Sequence, residues 1–301
     1  MKLHMGTRGS ALALAQAGTV AADLARLYPG LEVEIVRIRT SGDRFAEKTP
    51  PEARDLTPGA KGLFVKEIEE ALADGRVDFA VHSSKDLPAE LKAGLVIAAY
   101  PPREDARDAF IGRDGLRWAQ AVSGTRIGTS SLRRQVQLLA AKPGLIILPM
   151  RGNVDTRLRK LKAGVCDGLV LARAGLKRLG LESIAHEPLP EAVLLPAPGQ
   201  GALALEARGE RSDIMDLLAG LDHHATRLEV EFERAFLKEM GGGCSVPLGA
   251  RAVARAAQVE MTVFYSEPDG SRAVRLAAEC RDLECRDAFA RDLAAQVRSR
   301  R

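Results

Sequence analysis

Aromatic side chains make up only 4% of this chain, and it has a single Trp. A surface that grips single-stranded nucleic acid by stacking needs several such rings, so their scarcity speaks against that class. Cysteine is also sparse. Cys166, Cys244, Cys280 and Cys285 are all there is, no two of them form a CxxC pair, and the five histidines do not cluster with them. A zinc site and a disulfide framework are therefore not expected, no metal is expected, and a reducing cytoplasm fits best. No run of eighteen apolar residues occurs, so no membrane span is expected. The opening MKLHMGTRGS lacks the apolar stretch of a signal peptide. The phosphate-loop pattern GxxxxGK followed by Ser or Thr is missing too.

What is present is an ordinary globular composition. The chain has 301 residues, 46% of them hydrophobic, enough for two or three domains with cores of their own. The net charge is only +4, but the 44 cations divide into 33 Arg and 11 Lys. A compositional bias toward Arg is one explanation. The other is a site for several carboxylates or phosphates, which the planar guanidinium binds bidentately. The positions of the arginines have to decide.

The first two-thirds alternates strand-like and helix-like segments. Lys2 to Thr7 reads as a strand and Ser10 to Leu27 as an Ala-rich helix, followed by a β-branched strand from Leu31 to Arg39. Residues 41–60 are polar, hold three prolines and lack hydrophobic periodicity, which predicts a long loop. Leu63 to Ala73 reads as a helix, and Val77 to His82 and Leu95 to Tyr100 as strands. Pro101-Pro102 marks a hinge. A second set follows: a strand at Arg126 to Gly128, a helix from Ser131 to Ala141, a strand at Leu145 to Pro149, a helix from Val154 to Ala163, a strand at Gly168 to Leu171, and a helix containing Leu176 and Leu179. PAPGQGALALEAR then reads as a strand returning to the first unit. Such alternation predicts α/β units with largely parallel sheets. After a helix from about His224 to Met240, strands at Gln258 to Tyr265 and Ala273 to Glu279 and a helix from Leu283 to Val297 predict a small α+β domain. No internal sequence repeat is visible.

Five segments place cations or hydroxyls at expected strand-to-helix turns: Thr7-Arg8-Gly9-Ser10, His82-Ser83-Ser84-Lys85-Asp86, Thr129-Ser130-Ser131 with Arg133-Arg134, Arg151-Gly152-Asn153 with Arg157, and Lys177-Arg178. In open α/β sheets ligands bind beyond the carboxyl ends of the strands, where helix N-termini offer free N–H groups to anions. Taken singly, each segment is more simply a helix cap or a solvated face. Several together point to a polyanionic ligand. Asp86 is the odd charge among these cations, suited to balancing a positive charge that develops on a substrate or to moving a proton. Cys244 follows three glycines and precedes Val246-Pro247 by one residue. That setting suits an exposed thiol serving as nucleophile or attachment point. For Cys166, Cys280 and Cys285 the simpler reading holds, small core or surface residues.

The stretches TRGSALALAQA, KGLFVKEIE, HSSKDLP, GTSSLRRQ, LPMRGNVDTRLRKL, LARAGLKRLG, LPAPGQGALALE and GGGCSVPLGA, in this order, make the chain resemble the porphobilinogen deaminase family along nearly its whole length. The resemblance implies two α/β lobes similar to type II periplasmic binding proteins, plus a small C-terminal α+β domain. It places domain one at residues 1–101 and 201–219, domain two at 102–200 and domain three at 220–301. It implies a transferase of tetrapyrrole and heme biosynthesis that polymerises four porphobilinogens, with loss of ammonia, on a dipyrromethane cofactor and releases hydroxymethylbilane. By the resemblance, Cys244 carries that cofactor through a thioether. Asp86 hydrogen-bonds pyrrole N–H groups and stabilises the azafulvene formed when ammonia leaves, with Lys85, Arg8, Arg151 and Arg157 in the catalytic set. Ser83, Lys85, Asp86, Thr129, Ser130, Ser131, Arg133 and Arg134 would hold the cofactor. Arg8, Ser10, Gln16, Lys61, Phe64, Arg151, Arg157, Arg178 and Gln200 would hold substrate and the growing chain. Loop 41–60 matches the family's flexible segment over the site, and a monomer is expected, with no nucleic-acid or membrane partner.

The sequence departs from the family pattern at Ser84, often Met in the family, and at Gly59-Ala60, commonly a glycine pair. Two rival readings remain. A non-catalytic, two-lobed anion-binding protein shares the turns but has no use for a thiol on a glycine loop. A basic nucleic-acid binder is opposed by the low aromatic content, the mixed charges and the small net charge.

Overall fold

The computed structural model describes residues 1–41, 65–184, 186–242 and 246–300. The chain starts in the middle of a sheet. Strand β1 (Lys2–Arg8) runs into helix α1 (Ala11–Leu27), whose first turn is capped by the Ser10 hydroxyl accepting from the Ala13 N–H at 3.2 Å. Ala17, Val20 and Leu24, spaced three and four apart, form the buried face of α1 together with Gln16, as an amphipathic helix requires. Strand β2 (Glu32–Ile38) pairs parallel with β1. Helix α2 (Lys66–Ala73) buries Ile68, Ala71 and Leu72. Strands β3 (Phe79–Ser83) and β4 (Leu95–Ala99) follow.

The chain then crosses to a second sheet as β5 (Asp108–Gly112). There it builds β6 (Arg126–Gly128), α3 (Leu132–Ala141), β7 (Ile146–Leu148), α4 (Val154–Lys162), β8 (Gly168–Ala172), α5 (Arg173–Arg178) and β9 (Glu187–Pro188). It returns to the first sheet as β10 (Leu203–Arg208), followed by α6 (Ser212–Ala219). The sheet orders are β2-β1-β3-β10-β4 and β7-β6-β8-β5-β9. Numbered within each lobe, these are one and the same pattern. Three parallel strands in order two-one-three are followed by an antiparallel strand delivered from the other lobe, and then by the fourth. Four of the five strands in each sheet run the same way, as the largely parallel arrangement expected, and one runs against them. The antiparallel members, β5 and β10, are the strands that follow the two crossings, and β5 was not legible in the sequence.

Helix α7 (His224–Glu239) leads to a third sheet, the antiparallel β11 (Leu248–Arg255), β12 (Gln258–Tyr265) and β13 (Val274–Cys280), and to helix α8 (Arg286–Ser299). Phe232, Phe236, Met261, Val263, Leu293 and Val297 make its core. The expected helix from Leu283 is a single tight turn (Leu283–Cys285) before α8 proper.

The two crossing segments lie side by side. Glu104 N–H donates to the Gly201 carbonyl at 3.2 Å, and the Arg103 guanidinium to the Gln200 carbonyl at 3.0 Å. Gly201 has φ +89°, and a Cβ there would collide with the Glu104 carbonyl, so this closest approach of the crossings demands glycine. Helix α7 grips both crossings through one residue. The wholly buried Glu233 takes Arg103 bidentately at 2.8 and 3.0 Å, the Gly199 N–H at 2.6 Å and the Ala252 N–H at 2.9 Å.

Candidate functional site

The carboxyl ends of the parallel strands carry the residues the sequence singled out. Strand β1 ends at Arg8. Strand β3 ends at Ser83 and passes into a tight turn, Ser84–Asp86. On the second lobe, β6 delivers Thr129, Ser130 and Ser131, and β7 delivers Arg151. Both lobes abut the returning crossing at 199–202. Ser84 N–H donates to the Ala202 carbonyl at 3.0 Å, and the Lys85 Nζ to Gln200 Oε1 at 3.3 Å. From the second lobe, Arg178 Nη2 donates to the Gly201 carbonyl at 2.6 Å. The lobes meet again at the helices, where Leu12 of α1 faces Gly175 of α5.

Around this seam the predicted residues fall into two groups. The first is locked together. Gln16 donates to the Ser83 hydroxyl at 2.8 Å. Arg133 and Arg134, which a surface reading would have left in solvent, are both buried. They share the carboxylate of Asp108, itself fully buried, at 2.8 and 2.7 Å. Gln200 Nε2 reaches the same carboxylate at 3.1 Å. Burial alone would raise the Asp108 carboxyl, but Arg133, Arg134 and Lys85 outweigh it and hold it down to about 2. Burial pulls Lys85 the other way, down to about 8; Asp86 and Asp108 oppose this, while Arg134 and Arg133 add to it.

The second group shapes the surrounding turns. Ser130 Oγ accepts from the Met150 N–H at 2.8 Å, tying the β6 turn to the β7 turn. Thr129 Oγ1 accepts from the Ser131 N–H at 3.2 Å. Arg157 donates to the Gly152 carbonyl at 2.9 Å, and Asn153 caps α4 by accepting from the Thr156 N–H at 2.9 Å. Arg8, Ser10 and Arg151 are partly buried beside these turns. Lys177-Arg178 is not a strand-to-helix turn: β8 passes directly into α5 at Arg173, so the pair closes that helix instead. Lys177 pairs with Glu104 at 2.7 Å, and burial brings Arg178 down to about 10 against the pull of Glu104.

Cys244, Lys61, Phe64 and residues 42–60 of the expected loop lie outside the described residues. The chain leading to Cys244 is described as far as Gly242. A Cβ on Gly242 would sit 3.1 Å from Ala89 Cβ, and Arg234 donates to the Pro88 carbonyl at 2.8 Å. The start of the glycine loop thus rests against the segment that follows Asp86. Two important residues escaped the sequence reading, Asp108 and Glu104. Both sit in the charged run Arg103-Glu104-Asp105-Ala106-Arg107-Asp108, where nothing in pattern or spacing sets one acid apart from another.

The donor set suits a ligand bearing several carboxylates. The Lys85 ammonium is destabilised chiefly by burial and further by Arg134 and Arg133, and Asp86 and Asp108 offset this only in part. A carboxylate placed beside it would relieve that strain. Among the described residues, no group of three or more His, Cys, Asp or Glu is disposed to hold a metal ion.

Comparison with known proteins gives one result from two directions. The family described as "Porphobilinogen deaminase, dipyromethane cofactor binding domain" matches residues 3–216, and "Porphobilinogen deaminase, C-terminal domain" matches residues 227–298. A porphobilinogen deaminase of Syntrophotalea carbinolica is 50% identical over 273 residues, covering 91% of this chain and 85% of its own. One of Sorangium cellulosum is 48% identical, covering 90% and 89%. One of Syntrophomonas wolfei is 44% identical, covering 95% and 92%. Among solved structures, the methionine-binding protein MetQ aligns at a TM-score of 0.42 and 14% identity, over 73% of this chain and 89% of its own, a likeness too slight to carry weight.

Proposed function

The chain belongs to the porphobilinogen deaminase family, and on that premise we propose which of its residues perform the reaction. The activity is a transferase reaction of porphyrin biosynthesis: four porphobilinogens are joined head to tail with loss of ammonia, and the linear tetrapyrrole hydroxymethylbilane is released. The cofactor is dipyrromethane, which when bound supplies the pyrrole carbon on which the chain grows.

Cys244 provides the sulfur for the thioether. Lys85, Arg133 and Arg134 hold the cofactor's acetate and propionate groups, assisted by Ser83, Thr129, Ser130 and Ser131. Asp86 accepts hydrogen bonds from pyrrole N–H groups and balances the positive charge that develops on the substrate as ammonia departs. Charge stabilisation of this kind is strong because the surrounding site is buried and its dipoles are already set. Arg8, Arg151, Arg157 and Arg178 orient the carboxylates of substrate and growing chain, with Ser10, Gln16 and Gln200 beside them and Lys61 and Phe64 completing the set. We take the chain to divide into three domains with boundaries near residues 101, 200 and 219, a reading supported by its three separate sheets. No helix among the described residues is long and apolar enough to cross a membrane. We take the enzyme to be a cytoplasmic monomer without nucleic-acid or membrane partners.

One observation carries this assignment: a lysine, two buried arginines and a lone turn aspartate meet at the seam between the lobes, with the approach to Cys244 resting on the next segment. Intact-mass measurement of the purified active protein tests it. We expect a two-pyrrole adduct, which peptide mapping assigns to Cys244. Full activity from unmodified protein would overturn the assignment.

A further inference from the structure

Asp108 lies at the start of β5, wholly buried. Its carboxylate gathers three groups from two parts of the chain. Arg134 donates to Oδ1 from Nε and Nη2 at 3.1 and 2.7 Å, while its Nη1 is held by the Val170 carbonyl at 3.0 Å. Arg133 meets Oδ2 through Nη2 at 2.8 Å, and its Nη1 is held by the Leu195 carbonyl at 2.6 Å. Each guanidinium is thus fixed from two sides. The third group is Gln200. Its amide nitrogen donates both to Asp108 Oδ1 at 3.1 Å and to the Ala106 carbonyl at 2.7 Å. With both N–H bonds committed to acceptors, the amide cannot flip, and Oε1 is left facing Lys85 Nζ at 3.3 Å.

We propose that Asp108 is a positioning residue for the reaction: one carboxylate that aims Arg133 and Arg134 and, through the fixed polarity of Gln200, holds Lys85 of the opposite lobe in place to receive a cofactor carboxylate. This rests on the reading of Lys85, Arg133 and Arg134 as cofactor-holding residues. A need for stability alone does not explain a carboxylate here, because well-packed apolar residues commonly replace buried ion pairs without loss. An acid is required where donors must be both held and pointed. Asp108 also joins the lobes. It belongs to the second sheet, Lys85 follows β3 of the first, and Gln200 lies on the crossing between them.

The test is Asp108→Asn, nearly the same shape, whose amide can no longer receive every donor. Three quantities are read on the folded protein: the fraction carrying the cofactor by intact mass, kcat and KM separately, and the pH profile of kcat/KM. We expect reduced cofactor loading and a loss of about 100-fold in kcat/KM, the scale for removing one partner of a buried charge cluster. The loss should fall mainly on KM. The alkaline limb should move about one pH unit lower as Lys85 loses a neighbouring anion. A merely structural role would lower the urea midpoint and the yield, leaving the pH limb and the KM of the folded fraction where they were; that result, or wild-type loading, overturns the proposal. Should Asp108→Asn fail to fold, Gln200→Met decides. It breaks the link to Lys85 while leaving both arginine pairs, and an unchanged limb and KM there overturn the proposal. Lys85→Met separates this inference from the one beneath it. Wild-type loading and turnover in Lys85→Met overturn the assignment of Lys85 itself and this proposal with it. A crippled Lys85→Met beside a wild-type Asp108→Asn overturns the role of Asp108 alone.

Discussion

Asp86 sits in a tight turn directly after a strand, partly buried, next to a lysine whose charge is poorly supported. Asp86→Ala removes the carboxylate assigned to the developing cation from a short turn. We expect turnover to fall at least about 100-fold, the scale of one lost electrostatic stabiliser, with the urea midpoint little changed. Retention of most of the activity would remove Asp86 from the mechanism. Asp86 stands out in the sequence as an acid among cations at the end of an apolar strand, and the structure places it in the turn after β3. Asp108 does not stand out, since its importance comes from burial, and burial there depends on strand β5, whose five residues DAFIG are too short to show a period. Arg133 and Arg134 were singled out for their charge, but a helix start followed by two arginines does not disclose that both point inward.

Elements with a clear period or a strongly apolar run were read, and several without either were missed. Helix α1 and strand β12 repeat their apolar residues at the spacing their structures need. Strand β11, LGARAVAR, alternates Arg with small Ala, a pattern with little strand character of its own; it is a strand because it pairs along its length with β12. Helix α6 has only eight residues. The crossings depend on a still smaller feature, the glycine at their contact. Gly201→Ala meets both a positive φ and a backbone carbonyl. We expect it to cost about 2 kcal/mol or more of stability, read as a lower urea midpoint at unchanged slope. An unchanged midpoint would show that the crossings can separate freely at that point.

At the scale of the molecule, buried and paired acids make the fold sensitive to acid. Asp108 is held at about 2 by the arginines that overcome its burial, and Asp167 at about 2 chiefly by its hydrogen bonds to Arg126. Both lie below the unfolded value of about 3.9. Their contribution is therefore complete above about pH 4 and is lost as pH falls through about 2. Circular dichroism on descending pH should show unfolding begin within that window, and Asp167→Asn should make the acid limb shallower; a native signal maintained through pH 2 contradicts this. The two-lobed plan itself was readable from the alternation of segments, but the matched strand order of the lobes was not, because no repeated sequence accompanies it. That strand order also governs how a nascent chain matures. The second lobe holds all its strands in one continuous stretch, so it can complete its sheet as it leaves the ribosome. The first cannot, since β3 and β4 are joined only by β10. The earliest-made part of the protein thus waits with an open slot in its sheet until residues 203–208 have emerged, and the lobe synthesised first is the last to close.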